Sequence, residues 1–192
     1  MDTATATDPE LVLASISDPH AFGTVFDRHA PMIFRFVSRR VGLDLAKDVT
    51  AETFRIAFER RDAFDPTRGN LLPWLFGIAT NVLRSHLRAE HHQLKAIRAE
   101  GNPQAELEDA DARLDAEAAG PILAGALLEL SVQDRDTLLL FAWTDLGYEG
   151  VARALDIPIG TVGSRLSRAR KVVRRELRRA GWSIELEEGV DG

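Results

Sequence analysis

The sequence predicts an all-α protein of two small helical domains joined by a flexible acidic linker. Three observations carry that prediction. Apolar residues recur at spacings of three and four, and the alternation of a half-buried strand is nearly absent. The periodicity then dissolves between about 100 and 118, in Gly101-Asn102-Pro103-Gln104-Ala105-Glu106-Leu107-Glu108-Asp109-Ala110-Asp111. Such low hydrophobicity and high charge cannot repay the entropy of folding. Beyond that stretch, a short helix, a tight turn and a strongly basic helix follow one another. The resulting division is an N-terminal extension at 1–18, a first domain at 19–99 and a linker at 100–119. A second domain spans 120–180, and an acidic tail 181–192. No fixed-period internal repeat is present.

In chain order, Phe22, Phe26, Ile33, Phe36 and Val37 mark a helix over roughly 19–41. Val49, Phe54, Ala57 and Phe58 mark a second, roughly 45–61. Trp74, Ile78, Val82 and Leu87 mark a third, roughly 71–99, with Pro73 in the first turn, where its missing N–H costs nothing. These three are enough for a compact core. Helices resume at about 121–130, with Pro121 near the N-terminus, and at about 133–144. The last two occupy 146–179, and Pro158 and Gly160 punctuate the turn between them.

On the final helix Val162, Leu166, Ala169 and Val173 share one face, and Thr161, Ser164, Arg165, Arg168 and Arg175 lie on the other. One apolar face and one face of hydroxyls and guanidiniums is what a major-groove helix needs. Arginine grips guanine or phosphate, and Ser or Thr bonds either. The 146–179 segment is therefore read as a DNA-binding helix-turn-helix. Solvated basic faces, and helices that bind membranes or acidic proteins, share the charge but not the turn and the buried stripe together.

The net charge of −6 looks wrong for DNA binding until it is mapped. Residues 1–90 carry net −1, 91–130 net −5, 131–180 net +4 and 181–192 net −4. Local field, not total charge, governs nucleic-acid contact. With no cysteine, disulfides and thiolate metal sites are excluded. His86, His91 and His92 lack a zinc-type motif, so no metal is expected. No catalytic constellation or phosphate-cradling loop is evident, so neither enzymatic activity nor a cofactor is expected. No apolar run approaches a membrane span, and the polar, acidic start is unlike a signal peptide, so a cytoplasmic protein is expected.

Three stretches in this order resemble the sigma-70 family of bacterial sigma factors, and most closely its extracytoplasmic-function (ECF) group, which keeps only regions 2 and 4. Leu45-Ala46-Lys47-Asp48-Val49-Thr50-Ala51-Glu52-Thr53-Phe54-Arg55-Ile56-Ala57-Phe58 resembles the region 2.2 helix. Phe64-Asp65-Pro66, continuing through Pro73-Trp74-Leu75-Phe76-Gly77-Ile78-Ala79-Thr80-Asn81-Val82-Leu83, is similar to regions 2.3–2.4. The helix-turn-helix is similar to region 4.2.

The resemblance implies a subunit that binds core RNA polymerase and directs promoter recognition and melting. It implies polymerase docking on the β′ clamp helices through Asp48, Glu52 and Arg55. It implies −10 contacts from Arg68, Asn70, Trp74, Asn81, Arg84, Ser85 and Arg88. It implies −35 contacts from Thr161, Ser164, Arg165, Arg168, Lys171 and Arg175, with the second domain on the β flap. An anti-sigma factor is a further candidate partner, and no membrane insertion is implied. Ala51 stands where the family often has Gln, Ser85 where many members carry Asp or Asn, and Gly163 where a basic residue is common. Two other readings of the residues remain open. One is an autonomous helix-turn-helix regulator, and the other a helical interaction module without DNA contact.

Overall fold

The computed structural model describes residues 6–68, 70–99 and 120–180. Among them are eight α-helices, two 3-10 turns and no strand. The linker at 100–119 and the tail at 181–192 lie outside the described residues.

The first helix is one the sequence reading leaves out. Residues 1–18 are expected to be an extension, but Asp8–Ser17 folds as α1. Thr7 starts it by donating from its backbone N–H and its hydroxyl to Glu10 Oε2, at 2.7 and 2.9 Å. Leu11 and Val12 are fully buried against the next helix, α2 (Ala21–Val41). The short apolar run had hidden this face, because two adjacent residues do not define a helical period. Asp8 fixes the contact, with Arg28 at 3.2 Å and His29 at 2.8 Å.

Gly42, at φ 78°, turns the chain sharply into α3 (Leu43–Glu59). That backbone angle is open to glycine and strained for residues with a Cβ. α2 and α3 lock through aromatic edges, Phe26 on Phe54 at 4.9 Å and Phe22 on Phe58 at 5.4 Å. The 3-10 turns Arg61–Ala63 and Pro66–Arg68 lead into α4 (Leu71–Ala99). Its start is set by Asn70, whose Oδ1 accepts from the Leu72 N–H at 3.1 Å. Leu71, Leu75, Phe76, Ala79 and Leu83 are all buried, the inward stripe of a helix at period 3.6.

The second half holds α5 (Pro121–Leu128), α6 (Val132–Trp143), α7 (Gly147–Leu155) and α8 (Ile159–Arg179). Ser131 caps α6 by accepting from the Asp134 N–H at 3.2 Å. The buried Arg135 reaches back from α6 to the end of α5 and donates to the carbonyls of Leu127, Leu128 and Leu130, at 2.8, 3.2 and 3.2 Å.

The two halves share one hydrophobic core. α4 lies against α7 so closely that a Cβ on Gly77 would sit 2.6 Å from the Ala154 carbonyl oxygen. The Phe36 ring meets Trp143 at 6.5 Å, and the Arg39 guanidinium sits 5.7 Å from the same indole. Asp136 of α6, wholly buried, pairs with two arginines of the first half, Arg40 at 2.6 Å and Arg84 at 2.5 Å.

Candidate nucleic-acid interface

The helix-turn-helix is α7 and α8. Its turn is built differently from the sequence expectation. Pro158 is the cap residue of α8, but Gly160 is already inside the helix. The left-handed residue is Asp156, at φ 51° and ψ 53°. Asp tolerates that region better than most residues, because its short polar side chain bonds locally. The Ile157 N–H then donates to the Ala152 carbonyl at 3.0 Å and closes the α7 terminus.

Val162, Leu166 and Ala169 are fully buried beneath α8. Thr161 and Arg165 are half-buried on the other side, and Ser164, Arg168, Lys171 and Arg175 are exposed. Ser164 Oγ donates to the Thr161 carbonyl at 3.0 Å. Arg168 is tied to Asp134 at the start of α6, with donor distances of 3.3 and 3.0 Å. That carboxylate raises the guanidinium's pKa above its ordinary value. Arg175 pairs with Glu176 at 2.6 Å. Arg165 and Lys171 have no carboxylate within ion-pair distance among the described residues. Of the six sequence-predicted −35 residues, they are the cations without an ion pair.

A Cβ at Gly163 would meet only the Tyr148 ring, at 3.9 Å. Nothing packed there demands glycine, so the position carries only its helix penalty. Gly163→Ala should stabilise the chain by ~1 kcal/mol in urea unfolding. A loss of stability would mean that α8 needs a flexible point there.

Asp48 and Glu52 lie on α3, the first exposed and the second half-buried. Arg55 donates to Glu52 at 2.8 and 2.6 Å and to Glu59 at 2.5 Å. The hydrogen bond from Arg55 holds the Glu52 carboxyl below the usual glutamate range. Arg55 therefore steadies the acids of α3 and offers little positive charge of its own.

The sequence-predicted −10 residues divide between two cavities. Asn81 and Ser85 of α4 line one of about 410 Å³, together with Glu52, Ile78 and His86. A volume of that order suits a small-molecule-sized planar group. Asn70 and Trp74 line another, of about 290 Å³, which is completed from the second half by Arg153 and Asp156. Trp74 is half-buried with its ring 5.5 Å from Phe64, so it is a packing residue with one face toward the cavity. Arg88 is exposed and donates to the Arg84 carbonyl at 3.1 Å. Arg84 points away from both cavities toward Asp136. The Arg68 side chain lies outside the described residues.

Sequence reasoning missed Arg40, Asp134, Asp136 and Asp156. Only the last had a signal, as a residue that tolerates left-handed backbone just before Pro158. No three His, Asp or Glu side chains converge as a metal site would need, among the described residues. No described helix is long and apolar enough to cross a membrane.

The family model described as sigma-70 region 2 matches residues 25–93, and that described as sigma-70, region 4 matches 122–180. The chain is 29% identical over 167 residues to the ECF RNA polymerase sigma-E factor of Escherichia coli strain K12, covering 81% of this chain and 86% of that one. It is 29% identical over 173 residues to a probable RNA polymerase sigma-C factor of Mycobacterium bovis, covering 88% and 92%. Its fold is similar to CnrH in complex with the cytosolic domain of CnrY, with a TM-score of 0.63 and 25% identity, over 90% of this chain and 97% of that one. It is also similar to the sigma factor RpoE of Bartonella quintana in complex with the anti-sigma factor NepR, with a TM-score of 0.59 and 25% identity, over 82% and 96%.

Proposed function

Because the chain belongs to the sigma-70 family, as an ECF sigma factor that directs promoter recognition by RNA polymerase, we propose that its three candidate surfaces divide the work of initiation. It is a non-catalytic subunit, and polymerase performs the chemistry. The α3 face around Asp48 and Glu52 docks on the β′ clamp helices. The α3–α4 cavity and the 65–74 segment hold the unpaired −10 strand. Asn81 and Ser85 supply hydrogen bonds to a base edge, and Arg68, Asn70, Trp74 and Arg88 line its path; Arg84, engaged by Asp136 in this structure, contributes only where a phosphate displaces that carboxylate. α8 reads the −35 duplex through Thr161, Ser164, Arg165, Arg168, Lys171 and Arg175, while region 4 rests on the β flap. The protein works in the cytoplasm with the polymerase, and an anti-sigma factor is its proposed inhibitory partner.

One observation carries this reading: a helix suited to a major groove and a base-sized cavity bordered by Asn81 and Ser85 occur in one chain. An autonomous repressor needs only the first. Capturing an unstacked base costs a few kcal/mol, which hydrogen bonds to its edge repay. The test is run-off transcription by core polymerase on genomic promoters, with and without the protein. Promoter-specific product only in its presence is expected. A nanomolar, sequence-specific gel shift by the chain alone at physiological salt would favour the autonomous regulator, since a net −6 chain should bind free duplex weakly.

Asn81→Ala should slow open-complex formation on duplex promoters by roughly tenfold, about 1.4 kcal/mol, the order of one lost hydrogen bond to a buried base. A pre-melted bubble template should recover part of that rate. Asn81 and Glu52 border one cavity, so polymerase affinity is measured in parallel and should hold within about twofold. Permanganate footprinting reads the opening. Unchanged opening, or lost polymerase binding in its place, removes Asn81 from the strand-capture role.

A further inference from the structure

We propose that Asp134, which stands on α6 outside the helix-turn-helix, is a positioning residue that sets −35 specificity by presenting one edge of Arg168 to a guanine; this rests on the reading of α8 as the −35 helix. Arg168 sits in the middle of the outer stripe of α8, three or four residues from Ser164, Arg165 and Lys171. A guanidinium carries its N–H groups in a rigid plane. Asp134 takes the side of that plane. Its Oδ2 accepts from Nε at 3.3 Å and its Oδ1 from Nη2 at 3.0 Å. The end of the plane is left over, with Nη1 and the second N–H of Nη2. Among the described residues nothing else bonds this guanidinium. Two parallel N–H groups on that edge match guanine O6 and N7. The Arg168 side chain keeps 57% of its surface open and that of Asp134 only 14%, so the carboxylate is the fixed partner and the guanidinium the presented one.

Asp134 is firmly mounted. Its backbone N–H donates to Ser131 Oγ at 3.2 Å in the first turn of α6, where the positive end of the helix favours a carboxylate. The pair is not needed to join the two helices. α6 and α8 pack directly, and the core that holds them includes Leu139, Leu140, Val162 and Leu166. An ion pair with one exposed partner adds little to that. Nor does the carboxylate help affinity. Beside a DNA-reading face it repels phosphates, and it engages a cation that would otherwise neutralise one. What it gives is discrimination, which is a difference between two affinities. An untethered arginine turns to a phosphate on any sequence. Arg168 held by Asp134 bonds well only where guanine stands opposite, and its side chain is ordered before DNA arrives.

The test is fluorescence anisotropy of the polymerase holoenzyme on promoter duplexes that each have one −35 base pair replaced, across a salt series. Wild type should prefer guanine at one position, and Arg168→Ala should remove that preference. Asp134→Ala should keep matched affinity within about threefold yet cut the preference by roughly fivefold or more, because binding to the replaced duplex rises. Its salt slope should steepen by about 0.9, the mark of one more phosphate neutralised. Asp134→Asn keeps one acceptor and should fall between. In the Arg168→Ala background, Asp134→Ala should leave base preference and slope where they were. Urea midpoints of the Asp134 variants should stay near wild type. Full base preference in Asp134→Ala overturns the proposal. So does an equal loss in the Arg168→Ala background. Uniform weakening on every duplex with a lowered urea midpoint does too, and would leave the pair a fastening between helices. Wild-type holoenzyme indifferent to every −35 replacement would instead overturn the reading of α8, and this proposal with it.

Discussion

Arg135→Ala should cost the chain about 3 kcal/mol of unfolding free energy. The last carbonyls of any helix lack intrahelical donors. At the end of α5 the Arg135 guanidinium supplies donors to Leu127 and Leu128, and to Leu130 in the turn that follows, from a residue only 5% exposed. Its positive charge also sits at the negative end of the α5 dipole. Alanine would take a donor from three carbonyls, of which that of Leu127 keeps the Leu130 N–H at 3.3 Å and that of Leu128 lies nearer solvent, at ~1–3 kcal/mol for each group left buried and unsatisfied. The three bonds act as a unit, so the sum falls below three times that figure. For a chain of this size the loss corresponds to a fall in melting temperature of roughly 6–12 °C. Arg135→Lys keeps the charge but not the planar fork, and should recover less than half. Urea unfolding followed by circular dichroism gives the number. A loss under about 1 kcal/mol would mean that α5 does not depend on this cap.

Arg165→Ala should weaken the promoter complex of the polymerase holoenzyme by ~1–3 kcal/mol, or about 5- to 150-fold, if the side chain reaches a base edge. Arg165 lies beside Ser164 on the outer face of α8, and no carboxylate of the described residues holds it. Arg168 differs because Asp134 already engages it at 3.0 Å. DNA must compete for that guanidinium or use its remaining edge, so Arg168→Ala should lose less than Arg165→Ala. The defect of Arg165→Ala should shrink on templates with an altered −35 element. Fluorescence anisotropy on matched and altered promoters separates these outcomes. Wild-type affinity of both variants on every template would show that α8 does not read the duplex.

The helices were legible because burial imposes a period. α4 runs from 71 to 99 as its Trp74, Ile78, Val82 and Leu87 spacing predicts, and α8 buries Val162, Leu166 and Ala169 as predicted. Local turn chemistry was less legible. Gly160 is a turn residue by composition but a helix residue in place, while Asp156 takes the left-handed angle. The packing of the halves was not legible at all. Arg40, Arg84 and Asp136 are separated by 44 and 52 residues. Each reads locally as an ordinary surface charge. Only the folded chain brings them into one buried group, and burial changes what each charge must do. The same holds at the candidate site. Sequence places Asn81, Ser85 and Arg84 on one helix, and geometry then sends the first two to a cavity and the third to Asp136.

The family match begins at residue 25, inside α2, yet the fold begins earlier. α1 supplies Leu11 and Val12 to the core, and the Ser15 carbonyl accepts from Arg61 Nε at 3.1 Å. A shortened protein cut to the recognisable family boundary would keep every motif and lose one wall of its interior. Val25, and Phe58 stripped of its Phe22 ring partner, would then meet water, and apolar surface of that kind drives molecules together. Recombinant material trimmed in this way would fail in the test tube through clumping, for a reason unrelated to promoters or polymerase. The residues ahead of the signature belong to the smallest unit worth purifying.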